Sequence, residues 1–167
     1  MKRCFPISEH EKKIYRSYSG CKICDDWLKF SNFLKWYQEN AVDGYVIDKD
    51  LFSSPDEKKY SPDTCCFIPK EINNALQYEH LRMRKYDHNR FYNKSKKTYE
   101  AKLNIKGKTV TIGRFNTEEE AINAYIKSKT YYIEQLANEY YSKGLISERV
   151  YKQLINFKVN YANYQEK

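Results

Sequence analysis

Cysteines and basic residues are the two groups in this sequence whose types and spacing can do chemistry. Cys21 and Cys24 form a CxxC pair, and Cys65 follows later in the chain. Thiolates bind Zn²⁺, which takes four ligands at tetrahedral angles, so these residues predict a structural zinc site. The alternative is that the cysteines are small buried thiols of a core. Three residues are candidates for the fourth ligand: Asp48, Asp50 and Cys66.

The basic residues are concentrated in one stretch. Residues 77–114 hold eleven Lys and Arg against three Asp and Glu, which accounts for the whole formal net charge of +8. Tyr and Phe rings interleave with these cations. Cations neutralise phosphates and flat rings stack on bases, so the composition favours a nucleic-acid surface. A solubilising linker followed by a solvated sheet face would have the same composition.

Length and composition limit the class of protein. The 167 residues include 17 Tyr, 8 Phe and 2 Trp, far more aromatic side chains than a disordered chain carries, so a core is expected. No stretch approaches the roughly 18 apolar residues that span a bilayer. The first residues lack the apolar segment of a secretory signal. We therefore expect a protein of the cell interior with no membrane partner.

The elements that position these residues fall into three predicted parts: 1–76, a basic linker over 77–97, and 98–167. In the first part, apolar spacing between Trp27 and Tyr37 predicts one helix. A strand over residues 45–52, a loop, a second strand over 65–68 and a helix from Lys70 follow. The fold class is α+β.

The third part predicts a strand pair packed on a helix. Alternation over 98–105, a Lys106–Gly107 turn and a return strand over 108–115 indicate a small antiparallel sheet. Thr117 and Glu120 form a capping box that starts the next helix, and Ser147 caps a last short one. The packing stripe predicted for the helix after Thr117 consists of Ala121, Ala124, Tyr125, Ser128, Tyr132 and Leu136.

The segment IGRFNTEEEAINAY, with the strand pair before it, resembles the AP2-type DNA-binding domain. The resemblance implies a small sheet packed on a helix, whose exposed face enters the major groove of DNA. The Trp with which that family reads the groove is absent here, so we expect contacts to phosphates rather than base-specific contacts. The implied contact residues are Lys97, Lys102, Asn104, Lys106, Lys108 and Arg114.

The strand–loop–strand–helix order of the first part resembles the HNH (ββα-metal) nucleases of phages, which often carry an AP2-type sheet. The resemblance implies that Asp48-Lys49-Asp50 takes the His-x-Asp place, Thr64 the middle Asn place and Asn73 the last. Such nucleases use a neutral His as general base and one Mg²⁺. Asp ionises near pH 4 and is a poor base at neutral pH. If the chain cuts DNA, Asp48, Asp50 and Asn73 are the candidate catalytic residues, with Mg²⁺ as cofactor.

Two functions follow from these features. The first is a non-catalytic, metal-stabilised phage protein that acts in the bacterial cytoplasm and blocks a host RNA-guided (Cas-type) nuclease by interfering with DNA loading, as anti-CRISPR proteins do. The alternative is a phage HNH/AP2 protein that binds double-stranded DNA, or a weak metal-dependent endonuclease. The replaced His favours a degenerate nuclease, and the basic stretch fits both functions.

Overall fold

The chain forms two compact units, Met1–Lys70 and Glu71–Lys167, in a computed structural model. The structure describes residues 4, 8–15, 18, 20–53, 58–82, 92–95 and 97–157, with the backbone alone for 77–82. Both units mix helices with small sheets, which confirms the α+β class. Among the described residues, no helix combines the length and apolar character needed to cross a bilayer.

The first unit is built from short elements and two strand pairs. Strand β2 pairs antiparallel with β4, placing Tyr45 opposite Pro69 and Asp48 opposite Cys66, while β1 pairs parallel with β3. In chain order the elements are α1 (Glu9–Ile14), β1 (Lys22–Ile23), α2 (Asp25–Leu28), α3 (Phe30–Asn40), β2 (Tyr45–Asp48), β3 (Lys59–Tyr60) and β4 (Cys66–Pro69).

An aromatic cluster joins the helices of the first unit to its sheet. The Trp27 ring is buried, 4.7 Å from Trp36 and 5.1 Å from Phe33, and Trp36 stacks on Phe67. The single helix predicted here is wrong in one respect. The backbone at Lys29 is extended, so the chain forms two helices that fold their aromatic rings onto one another.

The second unit is a three-stranded antiparallel sheet packed on a long helix. Strand β6 lies between β5 and β7, and α5 packs on β6 and β7. Leu103, Tyr125 and Ile133 are buried in this unit, and α6 packs on α5. The elements are α4 (Lys70–Arg82), β5 (Tyr92–Asn93), β6 (Thr98–Ile105), β7 (Lys108–Phe115), α5 (Glu118–Ser142) and α6 (Glu148–Ile155).

Local sequence signals set the ends of several helices and strands of this unit as predicted. Thr117 and Glu120 form the capping box of α5, and Ser147 caps α6. Lys106 and Gly107 both have positive φ, 51° and 79°, which is the backbone of a type I′ hairpin turn. The predicted strands 98–105 and 108–115 are confirmed as β6 and β7.

The packing stripe of α5 was predicted only in part. Ala121, Tyr125, Tyr132 and Leu136 are buried, whereas Ala124 and Ser128 are half-buried. The helix also buries Ile133, Ala137 and Lys129. Of the predicted linker, the structure describes the end of α4 and strand β5, and residues 83–91 and 96 lie outside the described residues.

Candidate nucleic-acid interface

Alternation along β6 gives the sheet two different faces. Ala101 and Leu103 are buried on the face that α5 covers, whereas Lys102 and Asn104 belong to the opposite set of side chains. Cross-strand pairing extends that second set onto β7. We call this surface the outer face, and its members are Glu100, Lys102, Asn104, Thr109, Thr111 and Arg114.

Glu100 organises the two cations of the outer face. Its carboxylate lies 2.9 Å from Lys102 Nζ and accepts a hydrogen bond of 3.0 Å from Arg114 Nε. The side chain of Glu100 is only 5% exposed, whereas Lys102 and Arg114 are 46% and 59% exposed. The pairs form because Arg114 lies directly across from Glu100 and Lys102 is two residues along the same strand. One buried carboxylate therefore holds two accessible cations at fixed positions.

Lys97, Lys106 and Lys108 lie at the two ends of β6. Lys97 precedes the strand with a positive φ of 52°. At the other end, Lys106 lies in the hairpin turn and Lys108 directly follows it. All three lysines are exposed. Eight strand residues span about 26 Å. The structure therefore brings Lys102 and Arg114 together and places the other predicted lysines at opposite ends of the sheet.

Asn104 has a structural task besides its place on the outer face. Its side-chain oxygen accepts a 3.0 Å hydrogen bond from the backbone N–H of Gly107. This bond closes the hairpin turn and fixes the backbone around Lys106. Asn104 therefore positions the turn lysines.

Sequence reasoning missed the side chains that anchor this turn. The Tyr132 hydroxyl accepts a 3.3 Å hydrogen bond from the Lys106 backbone N–H and donates to Glu71, 3.2 Å away. Tyr140 donates to the other oxygen of Glu71, Oε2, at 3.0 Å. Lys106 Nζ lies 3.9 Å from Oε1, the oxygen that accepts from Tyr132. Burial raises the pKa of Tyr132. No sequence signal marks Glu71 beyond an acidic residue in the first turn of α4.

In the first unit, the Asp48 carboxylate is used to turn the chain. Its Oδ1 accepts hydrogen bonds from the backbone N–H groups of Asp50 (3.0 Å) and Leu51 (2.8 Å). These bonds end β2 at Asp48, so the strand predicted over 45–52 is too long. Burial raises the pKa of Asp48, and Asp50 is paired with Lys49. The Asp48 carboxyl group therefore holds its own loop.

Thr64 and Asn73, the other two positions of the proposed nuclease motif, are also not arranged as catalytic groups. Thr64 Oγ1 donates to the Lys59 carbonyl at 2.6 Å and accepts from the Ser61 backbone N–H at 3.1 Å, so it holds its own turn. Asn73 lies in the second unit, on α4, and is buried. Its Oδ1 has no hydrogen-bond partner among the described residues.

The cysteines are all thiols in this structure, with no disulfide. Cys21 and Cys65 are buried, and Cys24 and Cys66 are half-buried. Burial raises the pKa of Cys65 to about 11, which favours a protonated sulfur there. Across the described ranges, no three His, Cys, Asp or Glu side chains come together as a group fit to hold a metal ion. This arrangement is not a ready zinc site, so zinc binding stays a prediction from the sequence.

Comparison with protein-family models, curated proteins and solved structures finds no match to this chain. The resemblances to HNH nucleases and to AP2-type domains therefore rest on the residues quoted above.

Proposed function

We propose that the second unit binds double-stranded DNA through its outer face. The observation that carries this proposal is the arrangement of Lys102 and Arg114 around the buried Glu100. A carboxylate that holds both cations limits their rotamers before any ligand arrives. Binding then costs less side-chain entropy than it would for two unrestrained cations. Arg114 and Lys102 are suited to phosphate oxygens and base edges.

The shape of the sheet supports a major-groove position. Strand β5 pairs only with the first two residues of β6, so most of the sheet is the two-stranded β6–β7 ribbon, and the major groove, about 12 Å wide, admits a two-stranded ribbon. Thr109, Thr111 and Asn104 complete the outer face with short polar side chains. With the ribbon in the groove, the lysines at the ends of β6 would lie near the phosphates of opposite groove walls. Sequence readout would then be weaker than backbone contact.

The experiment is a duplex titration across a salt series. The full chain is titrated against a labelled 30-mer in about 50 to 200 mM salt, and the slope of log K against log salt is compared with that of a Lys102→Gln/Arg114→Gln variant. Each phosphate contact contributes about 0.9 to that slope for B-form DNA. The variant should lower the slope by about 1.8.

A matched control removes the same charge elsewhere. Lys127 and Lys143 are exposed on and just after α5, the helix that covers the other sheet face. The Lys127→Gln/Lys143→Gln variant should keep the wild-type slope. Equal losses in both variants would mean that only net charge matters and that the outer face is not the interface. No duplex binding at about 50 mM salt would refute DNA binding itself.

The first unit supports a second candidate, a non-catalytic protein that blocks a host RNA-guided nuclease. The specific observation is that the side-chain oxygens of Asp48 and Thr64 form hydrogen bonds with the backbone of their own loops. A nuclease-like order of elements without a set of ready catalytic groups is compatible with a binder whose cationic sheet competes for a partner's DNA groove. The degenerate HNH-like and AP2-like modules belong to this proposal.

Two cleavage assays separate the candidates. In the first, the chain and an Asp48→His variant are incubated with plasmid and Mg²⁺ or Mn²⁺; cutting by the wild type would refute the non-catalytic assignment. In the second, purified RNA-guided nucleases cleave a target with and without the chain. Inhibition that survives Lys102→Gln/Arg114→Gln would favour a protein-directed mode, whereas no inhibition of any nuclease tested would remove this second candidate.

A further inference from the structure

A β-bulge determines which face of the sheet carries Arg114. Thr111 lies opposite Lys102 and Arg114 lies opposite Glu100, so β7 has one more residue than β6 between these two pairs. Strict alternation would send Thr111 and Arg114, three positions apart, to opposite faces of the sheet. The additional residue brings both onto the outer face, and such bulges commonly re-direct a side chain in this way. Arg114 therefore reaches the Glu100 carboxylate only because the strand is bulged.

Glu100 holds Arg114 by one edge of its guanidinium group and leaves another edge accessible. The bond to the carboxylate is made by Nε–H, at 3.0 Å, and not by the two terminal amino groups. Those amino groups form a planar fork of donors that matches two neighbouring acceptors. The side chain of Arg114 is 59% exposed, so a ligand can reach this fork.

Guanine is the base that fits this fork in the major groove. Its O6 and N7 are two neighbouring acceptors, whereas adenine and cytosine each present a donor there and thymine a single acceptor beside a methyl group. Lys102 is a point charge without a fork, and the side-chain oxygen of Asn104 is already bonded to the Gly107 N–H. Arg114 is therefore the side chain of the outer face that is best equipped to read a base.

We propose that Arg114 reads one guanine in the major groove and that Glu100 is its positioning residue. The inference rests on the proposed DNA binding, and it adds one base-specific contact to a surface that otherwise contacts phosphates. A carboxylate that fixes Nε limits the orientations of the guanidinium before DNA arrives, which sharpens discrimination between bases. On a duplex without a suitably placed guanine the same fork binds a phosphate. The salt slope predicted for Lys102→Gln/Arg114→Gln therefore refers to duplexes of arbitrary sequence.

The first test selects binding sites with the full chain from duplex 30-mers whose central base pairs, about ten, are random, in about 100 mM salt. The selected duplexes should share one guanine, and any other base there should weaken binding about 10- to 100-fold. Two base analogues identify the contacted edge. 7-Deazaguanine lacks N7 and should weaken binding about tenfold. Inosine keeps O6 and N7, lacks only the minor-groove amino group and should bind within about twofold of guanine.

Two variants assign the readout to this pair of residues. Arg114→Lys keeps the charge but loses the fork, so binding to arbitrary duplexes should persist while the preference for guanine falls to about threefold or less. Glu100→Gln removes a negative charge near the phosphates, so non-specific binding should become tighter while the preference falls as well. A merely structural role of Glu100 would not raise one and lower the other. Glu148→Gln on α6 removes the same charge from an exposed pair with Lys152 and should leave the preference unchanged.

The possible outcomes distinguish guanine readout from DNA binding itself. Duplex binding without a selected guanine would overturn the readout and leave DNA binding intact, and equal losses with both analogues would overturn a major-groove contact. A guanine that Arg114→Lys still prefers would overturn the assignment to Arg114. A preference that survives Glu100→Gln would overturn the positioning role. No duplex binding at about 50 mM salt would overturn the proposed function, and guanine readout with it.

Discussion

Removing the hydroxyl of Tyr132 should detach the hairpin turn from the rest of the second unit. Tyr132→Phe keeps the ring but deletes the group that accepts from the Lys106 backbone N–H at 3.3 Å and donates to Glu71 at 3.2 Å. A neutral hydrogen bond contributes about 1 kcal/mol net and one to a charged group about 1.5–3. Both distances are at the long end, so we expect a loss of about 2 kcal/mol.

Urea unfolding and hydrogen exchange measure this change. With a urea m value of about 2 kcal/mol/M, the midpoint of the variant should fall by about 1 M. The Lys106 amide should lose protection, because its acceptor is gone. Tyr151→Phe is the control, since that hydroxyl donates to Asn138 at 3.0 Å in an exposed position. That variant should change stability by less than about 0.5 kcal/mol.

The pH dependence gives an independent check. Burial raises the pKa of Tyr132, so the folded state favours the neutral phenol. Its stabilising contribution is complete below the unfolded pKa of about 10 and is lost as pH rises through the folded pKa. Tyr132→Phe should lack that alkaline loss. An unchanged midpoint together with unchanged protection of the Lys106 amide would refute the anchoring role.

Four further predictions concern single sites. In Gly113→Ala the new Cβ would lie 2.9 Å from the Phe115 ring, so the free energy of unfolding measured in urea should fall by about 1–3 kcal/mol. Adding Phe115→Leu to the same chain should recover most of that loss. Asp48→Asn keeps an oxygen that can accept from the two backbone N–H groups, so its free energy of unfolding at neutral pH should lie within about 1 kcal/mol of the wild-type value. Asp48→Ala removes that acceptor and should lower the free energy of unfolding by about 2 kcal/mol. Because burial raises the pKa of Asp48, the wild type should lose stability relative to Asp48→Asn as pH rises from about 3 to 7, and the opposite trend would contradict that direction. Iodoacetamide should label half-buried Cys24 before buried Cys65, whose pKa is about 11, and mass spectrometry that finds equal rates would contradict the burial of Cys65. If the chain holds Zn²⁺, elemental analysis should find about one equivalent and a chelator should lower the melting temperature; a metal-free protein with an unchanged melt would remove the zinc prediction.

The second unit was largely predictable because its signals are local. Alternation in β6, the Lys106–Gly107 turn and the Thr117 capping box each depend on neighbours within a few residues. Local chemistry of this kind leaves little choice of backbone. The resemblance to AP2-type domains named Lys102 and Arg114 as contact residues, but the sequence did not predict that Glu100 holds both of them.

The contacts that were missed depend on residues far apart in the chain. Glu71 meets Tyr132 and Tyr140 across more than sixty positions, and no spacing rule links them. Lys129 is buried within a stripe that its charge excluded from the predicted core. The strand predicted over 45–52 is too long, since β2 ends at Asp48. The Asp48 side chain accepts hydrogen bonds from the backbone of the loop that follows, and these bonds end the strand although the β-forming sequence continues. The break at Lys29 likewise depends on aromatic rings that only meet in three dimensions.

The carboxylate of Glu71 has a consequence for how this chain can be divided. The predicted sheet-and-helix part begins at residue 98, yet Glu71, which accepts from the Tyr132 hydroxyl that binds the turn, lies in the first turn of α4. A fragment that starts at 98 would keep the bond between Tyr132 and the turn but would leave the Tyr132 and Tyr140 hydroxyls without their common acceptor. Any natural or designed recombination that transfers the cationic sheet to another protein therefore has to transfer α4 together with it.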